Sequence, residues 1–294
     1  MHSLQLALQF LEGTMHNNKW SADRISILRC PVCAHSKMSM QDERHMQCGH
    51  CQSLFDFSDN VVDLFEVSSA HEEALKFTGL NGKDYHEARK QIGTVKYSLI
   101  RRAEAITEAL TGLGRGQGER LLEVGCADGM MGDMLSKTLT YREIVGLDLL
   151  DKWLPYSPNL AVRGDCQEMP FDDGSFDSVV AAALIEHLPQ PDLFVSECLR
   201  VLRPGGCLVL TCPDPVYDWI CTKTGYFKYA CHLHRFSIKD IISKLETAGF
   251  TKCGGKKFML APLKCSPLES MEKLSLFQGP LRFLLMNQVI WGIK

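Results

Sequence analysis

The sequence lacks long hydrophobic runs. Its longest uninterrupted apolar stretch, Val179 to Ile185, is far shorter than the roughly 20 residues a membrane-spanning helix needs, so no membrane segment is expected. Met1 to Leu11 is mildly apolar but has no basic flank and no small-residue cleavage site, so no secretory leader is expected. An excess of one charge is also missing. Thirty-two Lys and Arg oppose 35 Asp and Glu for a net charge of −3, which leaves no molecule-wide field to attract a polyanion. Internal repeats and low-complexity tracts are absent too. The 294 residues are 45% hydrophobic and 23% charged, as expected of a globular chain with one large domain, or one domain and an appendage. Cysteine is not scarce: thirteen without a secretion signal argue for a reducing compartment and a cytoplasmic protein.

Four of those cysteines form a pattern. Cys30-Pro31-Val32-Cys33 and Cys48-Gly49-His50-Cys51 are two C-x-x-C pairs separated by fourteen residues, the spacing of a tetrahedral four-thiolate zinc site. Cys30, Cys33, Cys48 and Cys51 are the expected ligands. His35, His45 and His50 are less economical substitutes. A hairpin between the pairs, then Phe55, Phe57 and the run Val61 to Phe65, suits a ribbon too small for its own core, for which a metal would supply folding energy. The stretch from Leu28 to about Glu66 resembles the zinc ribbons of tRNA-methyltransferase activator subunits and of the N-terminus of rRNA guanine N1-methyltransferases. Its charges are Arg29, Lys37 and Arg44 against Asp42, Glu43, Asp56, Asp59, Asp63 and Glu66. That balance is acidic, whereas a nucleic-acid-binding module wants a basic face.

From Ala70 to Gly114 the pattern is mostly helical. Ile100, Ala103, Ile106, Leu110 and Leu113 recur at helical spacing with Arg101, Arg102 and Glu104 opposite. Gly82 to Tyr85 reads as a polar loop. The chain therefore divides into a ribbon over 28–66, a helical linker or lid over 67–115, and a third unit over 116–294 with inserts near 213–236 and 261–285.

The third unit starts with Leu121-Leu122-Glu123-Val124-Gly125-Cys126-Ala127-Asp128-Gly129, a buried strand running into a glycine-punctuated turn and a helix from Met130. A phosphate-cradling turn would carry G-x-G-x-x-G and positive charge. This turn carries Glu123 and Asp128, which suit a ligand with an ammonium and hydroxyls. Strands and helices then alternate as in a doubly wound α/β sheet. Ile144 to Asp148 is a second strand whose terminal acid lies 25 residues after Glu123, where folds of this type bind ribose hydroxyls. Leu160 to Val162 leads to Asp165-Cys166. Pro170-Phe171 and Ser175-Phe176-Asp177 precede a fourth strand, Ser178 to Ala182, and Leu202-Arg203-Pro204-Gly205-Gly206 turns into a fifth, Cys207 to Thr211.

These five ordered landmarks, over Glu119 to Thr211, resemble the class I S-adenosylmethionine-dependent methyltransferases of the type 11 kind. The resemblance implies a mainly parallel seven-stranded Rossmann-like sheet, closed by an antiparallel pair over Phe250 to Met259 and Val289 to Ile293. It implies that Glu123, Gly125 and the backbone of Cys126, Ala127 and Gly129 hold the methionine part of the cofactor. Asp148 would take the ribose hydroxyls and Leu149 the adenine face. Asp165 and Cys166 would meet the adenine edge, and Ala181 or Ala182 would lie beside the sulfonium. Most relatives have glycine where this chain has Ala127, a methyl that could weaken binding.

His187 follows the fourth strand and is the nearest candidate for a general base. In quinone-pathway O-methyltransferases and small-RNA 2′-O-methyltransferases an E-x-x-E-H motif here binds a divalent metal. This chain has Ala183 in place of the first glutamate, so no catalytic metal is expected. Beyond the fifth strand, an insert rich in aromatics (Tyr217, Trp219, Tyr226, Phe227, Tyr229) leads to His232-Leu233-His234-Arg235-Phe236. In relatives acting on small molecules or sugars this stretch lies at the active-site mouth, so His232 and His234 are nominated as substrate-side residues. His232 and His234 could also pair on a metal, though no further ligand is evident. Ser237 is the expected N-cap of a helix over Ile238 to Ala248, stopped by Gly249. The expected activity is methyl transfer from S-adenosylmethionine to a small molecule or glycan, at oxygen. One alternative is an RNA methyltransferase that reads substrate with the ribbon. Another is a non-catalytic cofactor-binding scaffold.

Overall fold

A computed structural model of the chain describes residues 20–58, 60–65, 87, 89–91, 93–224, 232–262, 266–272 and 274–294. Tyr85, Tyr226, Phe227 and Tyr229, singled out above, lie outside the described residues. The described strands are β1 (Met38–Met40), β2 (His45–Cys48), β3 (Leu54–Ser58), β4 (Val61–Asp63), β5 (Gln117–Val124), β6 (Thr140–Asp148), β7 (Leu160–Arg163), β8 (Phe176–Ala182), β9 (Leu202–Pro213), β10 (Thr251–Phe258) and β11 (Asn287–Ile293). The principal helices are α1 (Gly93–Gly112), α2 (Met130–Ser136), α3 (Pro191–Val201), α4 (Pro215–Thr224), α5 (Ile238–Ala248) and α6 (Ser266–Glu272).

The strands form one sheet in the order β1-β2-β3-β4-β7-β6-β5-β8-β9-β11-β10. Seven of them, β7-β6-β5-β8-β9-β11-β10, are the expected Rossmann-like set. Strands β5 to β9 run parallel, and β11 pairs antiparallel with both β9 and β10. Successive residues of a strand face opposite sides, and both sides are covered. Leu122, Val124, Val145, Val179 and Leu208 pack with Phe194 and Cys198 of α3 and Ile241 and Leu245 of α5. Leu121, Ile144, Val180 and Val209 pack on the other side with Ala103, Ile106 and Leu110 of α1 and Met131 and Leu135 of α2. Burial on both sides explains why the central strands read as apolar runs instead of alternating.

The helix over 238–248 is bounded as the sequence requires. Ser237 and Asp240 form a reciprocal capping box, and Gly249 ends the helix with φ +110°. The fifth strand differs from expectation. It begins at Leu202, not Cys207, because Arg203 to Gly206 form an irregularity within the β8–β9 pairing and not a turn ahead of it. Gly205 has φ +76°, and a Cβ on Gly206 would lie 2.8 Å from the Asp177 carbonyl oxygen. Arg203 Nη1 donates to Asp177 Oδ1 at 2.9 Å.

The four remaining strands extend this sheet. β1 to β3 form an antiparallel meander that carries Cys48 and Cys51, with Cys30 and Cys33 in the turn ahead of β1. β4 pairs antiparallel with β3 and parallel with β7, in register Val61↔Ala161, Val62↔Val162 and Asp63↔Arg163. Met46, Phe55, Phe57 and Leu28 belong to the same buried cluster as Leu122 and Val145. The ribbon, read from the sequence as too small for a core, therefore shares one.

Candidate functional site

The parallel strand order β7-β6-β5-β8 reverses direction at β5, and crevices at such switch points are where α/β sheets bind ligands. At the end of β5 the chain turns through Gly125 (φ +73°), Ala127 (φ +48°) and Gly129 (φ +71°). Ala127 thus adopts the left-handed backbone that makes glycine usual at its position. Its strained turn is used: Ala127 N–H donates to Asp148 Oδ2 at 2.8 Å, while Leu150 N–H donates to Asp148 Oδ1 at 2.9 Å. Gly129 is more constrained, since a Cβ there would lie 2.4 Å from Ser157 Oγ.

Three carboxylates gather on this turn. Glu123 is buried and accepts from Gly132 N–H of α2 at 2.8 Å. Burial pushes its carboxyl up to about 8 against the pull of Arg89. Burial also raises Asp148, opposed by its backbone hydrogen bonds. Asp128 is 0% exposed and pairs with Arg89, Nη1 to Oδ1 2.7 Å, with Arg89 itself only 8% exposed. Arg89 had no signal in the sequence, because it lies ahead of α1 and reaches the turn only through the fold.

The other cofactor-side candidates lie along the same edge. Leu149 is partly exposed just past β6. Asp165 Oδ1 accepts from Gln167 N–H at 2.8 Å, and desolvation raises the half-buried Cys166 thiol well above its ordinary range. Ala181 is buried and Ala182 half-buried at the end of β8. Cys126 is buried, its N–H donating to the Leu147 carbonyl.

Past β8, Ala183 turns with φ +53° into a short helical turn, Ile185–His187. The histidines nominated from the sequence converge here in part. The rings of His187 and His232 lie 4.7 Å apart, tilted by 69°. The loop carrying His232 is held to this turn, since Leu233 and His234 N–H both donate to the Glu186 carbonyl, at 2.8 and 3.1 Å. His232 Nδ1 hydrogen-bonds the buried Asp218 carboxylate of α4, which also accepts from Arg235 Nε. His234 instead stands beside Phe236, with ring centroids 5.4 Å apart. His232 thus meets Asp218 and His187. Sequence reasoning passed over both Glu186 and Asp218.

In the ribbon, the four cysteine sulfurs lie within 4.8 Å of one another. Cys30 Sγ is 3.6 Å from Cys51 Sγ, and Cys33 Sγ is 3.6 Å from Cys48 Sγ. A tetrahedron with zinc–sulfur bonds of about 2.3 Å has edges of about 3.8 Å, so the spacing fits a shared ion and exceeds any disulfide. Hydrogen bonds with Ser53 pull the Cys51 thiol down to about 6. His45 is committed elsewhere, to Asp42 at 2.8 Å. His35 and His50 stack with centroids 3.7 Å apart.

Residues 122–210 match a family model described as a methyltransferase domain. These residues therefore carry a methyltransferase domain. A Mycolicibacterium smegmatis protein named "Probable S-adenosylmethionine-dependent methyltransferase" is 33% identical over 156 residues, 51% of this chain and 58% of that protein. A fatty-acid O-methyltransferase of the same organism is 38% identical over 109 residues, 35% of this chain and 40% of the relative. The chain thus spans roughly half the length of the curated relatives it matches. Among solved structures, a chain from the Haloferax volcanii complex containing the Trm112 methyltransferase activator aligns with TM-score 0.54 at 17% identity. That alignment covers 72% of this chain and 95% of the other. An S-adenosylmethionine-dependent methyltransferase from Thermotoga maritima aligns with TM-score 0.52 at 18% identity, covering 72% and 95%. At these identities the two structures bear on the fold alone. No helix among the described residues is long and apolar enough to cross a membrane.

Proposed function

We propose that the protein transfers the methyl group of S-adenosylmethionine to an oxygen of a small acceptor with an apolar body. The observation that carries the reading is the convergence of Glu123, Asp128 and Asp148 on one left-handed turn at the switch point, opposed by the Arg89 guanidinium. A site with those acceptor oxygens suits a ligand bearing an ammonium and hydroxyls better than one bearing phosphates. In this reading Glu123 and the backbone of Gly125, Cys126, Ala127 and Gly129 face the methionine end. Asp148 keeps acceptor capacity for ribose hydroxyls after its two backbone bonds, because a carboxylate has about four lone-pair sites. Leu149, Asp165 and Cys166 line the adenine side, and Ala181 and Ala182 flank the sulfonium.

The cofactor supplies a methyl already activated by its sulfonium. What remains for the protein is to hold the acceptor oxygen in line and remove its proton. His187, His232 and His234 are the nominated acid–base groups. Apolar side chains ring this end of the sheet: Val216, Trp219 (53% exposed) and Ile220 on α4, Leu233 beside Glu186, and Phe283 (62% exposed) and Leu284 ahead of β11. Such a rim favours an apolar small molecule over a glycan, in keeping with a relative named for a fatty acid. We assign zinc to Cys30, Cys33, Cys48 and Cys51, with a structural role.

The test is calorimetric titration of S-adenosylmethionine into wild type and Asp148→Ala, followed by transfer of labelled methyl into an organic-soluble extract and into total RNA. Binding weakened at least tenfold in the variant and label in the organic fraction support the reading. An absence of binding to wild type sinks it, and label confined to RNA replaces it with the RNA-modifying alternative.

A further inference from the structure

Helix α4 presents its apolar stripe outward. Val216, Trp219, Ile220 and Lys223 share one face at helical spacing, and all four are exposed. The inner face holds Asp218 and Cys221, 2% and 3% exposed, with Asp218 bonded to His232 and Arg235. A surface helix of a globular protein does the reverse, turning apolar residues to the core and polar ones to water. The stripe also has neighbours. Asp214 N–H donates to the Met286 carbonyl at 2.8 Å across the β9–β11 seam. Val216 and Leu284, each two residues from that bond, therefore flank the seam. Phe283 and Leu284 are exposed beside it, and Leu233 is exposed where its N–H reaches the Glu186 carbonyl. Single exposed apolar side chains are ordinary. Here six of them, each 44% or more exposed, gather at the C-terminal end of the parallel strands. Grouped exposure of this kind marks an interaction surface.

The exposed charges around the patch are mainly positive. Lys223, Arg235, Lys239 and Arg282 are all exposed. The acids of the same stretches are Asp214 and Asp218, each 2% exposed and paired with Lys257 and Arg235, and Asp240, held in the Ser237 capping box. On a chain of net charge −3, this end thus sets cations around an apolar face that includes a tryptophan. The combination is complementary to an anionic bilayer, where apolar side chains enter the acyl boundary and Lys and Arg meet the lipid headgroups. We propose that α4 and the turn at 282–284 form a docking surface for an anionic lipid bilayer. Docking of this kind lies in the headgroup plane and needs no spanning helix. The switch-point crevice opens at the same end of the sheet, so a docked chain turns it toward the lipid. Withdrawal of the acceptor from the bilayer would follow only with the methyl-transfer reading; the docking itself stands without it.

Sedimentation of the full-length protein with vesicles tests the proposal. The vesicles are phosphatidylcholine alone, or phosphatidylcholine and phosphatidylglycerol in equal parts. Saturable binding to the mixed vesicles is expected, weaker on phosphatidylcholine and falling with added salt. Trp219→Gln combined with Phe283→Gln should weaken it roughly tenfold or more. Lys223→Gln combined with Arg282→Gln should weaken it about fivefold for each cation removed. All four residues are exposed, so the melting temperature should hold in both variants. No S-adenosylmethionine is present, so the outcome is separate from that of the calorimetric titration. Failure of wild type to bind the mixed vesicles would overturn the proposal, as would undiminished binding by the Trp219 and Phe283 variant. A wild-type dimer that the same variant converts to monomer would assign the face to a second copy of the chain and overturn it too.

Discussion

Replacing Arg89 by Met tests the electrostatics of the cofactor turn. Arg89 and Asp128 are 8% and 0% exposed with a 2.7 Å contact, so the variant leaves the buried Asp128 carboxylate without that cation. Breaking one side of a buried pair costs about 3–5 kcal/mol, whereas an exposed pair contributes about 0–1. For a chain of this size that is a fall in Tm of roughly 5–10 °C, from about 2 °C per kcal/mol. Lys137→Met, which removes the exposed pair with Asp133 at 2.6 Å, should cost about 0.5 kcal/mol or less. The loss also has a pH signature. Burial raises Glu123 to about 8, and Arg89 opposes the rise. A carboxyl raised on folding binds its proton more tightly in the native state, so its contribution is full below the ordinary carboxylate range and is lost as pH climbs toward 8. Without Arg89 the folded value climbs further, and the gap between variant and wild type widens from pH 6 to pH 8.5. Urea unfolding of the cofactor-free protein at both pH values is the assay, with Asp128→Asn closing a double-mutant cycle whose coupling is about 2 kcal/mol or more. A loss below about 1 kcal/mol, matching Lys137→Met, or a gap that does not change with pH, would refute the reasoning.

Gly129→Ala should cost about 2 kcal/mol or more. It forces a side chain into φ +71° and sets a Cβ 2.4 Å from Ser157 Oγ. Differential scanning fluorimetry reads the loss, and calorimetry should show weaker S-adenosylmethionine binding with it; an unchanged Tm would mean the turn relaxes freely. The double substitution Cys30→Ser with Cys33→Ser should reduce zinc from about one per chain to none. It should also lower the melting temperature of the whole domain, because Met46 and Phe57 share a core with Leu122. An independent low-temperature transition for the ribbon would contradict that shared core.

Much of the strand edge at the switch point was legible because local rules govern it. Leu121 and Leu122 had to be buried on opposite faces of a covered strand, and a strand-end acid at Asp148 follows from the register of consecutive parallel strands. The oddity at Ala127 was visible as a missing glycine, and φ +48° explains why glycine is usual there. Contacts that depend on distant loops were not legible. Arg89 reaches Asp128, and Asp218 of α4 reaches His232, only after the sheet has formed. The closeness of His187 to His232 likewise depends on the loop that returns after α4. Arg203 to Gly206 looked like a turn because glycine pairs usually are. Pairing of Leu202 with Phe176 keeps them within a strand.

The ribbon raises a question of sheet edges. Without β4, β7 would end the parallel sheet with its backbone groups exposed, and such edges invite unwanted pairing. β4 covers it, and the seam is reinforced where it matters for ligand binding. Arg163 of β7 donates to Asp63 of β4 at 2.8 Å and to the Leu149 carbonyl at 3.3 Å. Leu149 is the residue assigned to the adenine face, and Asp165 follows Arg163 by two positions. The ribbon is tied in again farther back, where Arg29 N–H donates to the Pro170 carbonyl and Asp172 N–H to the Ile27 carbonyl, at 3.0 and 2.9 Å. These anchors enclose the segment from Asp165 to Asp172. The zinc proposed for the cysteine turns would therefore also order β4, and through Arg163 the Leu149 end of β6. The acidic N-terminal segment is in this way part of the domain's own sheet and core.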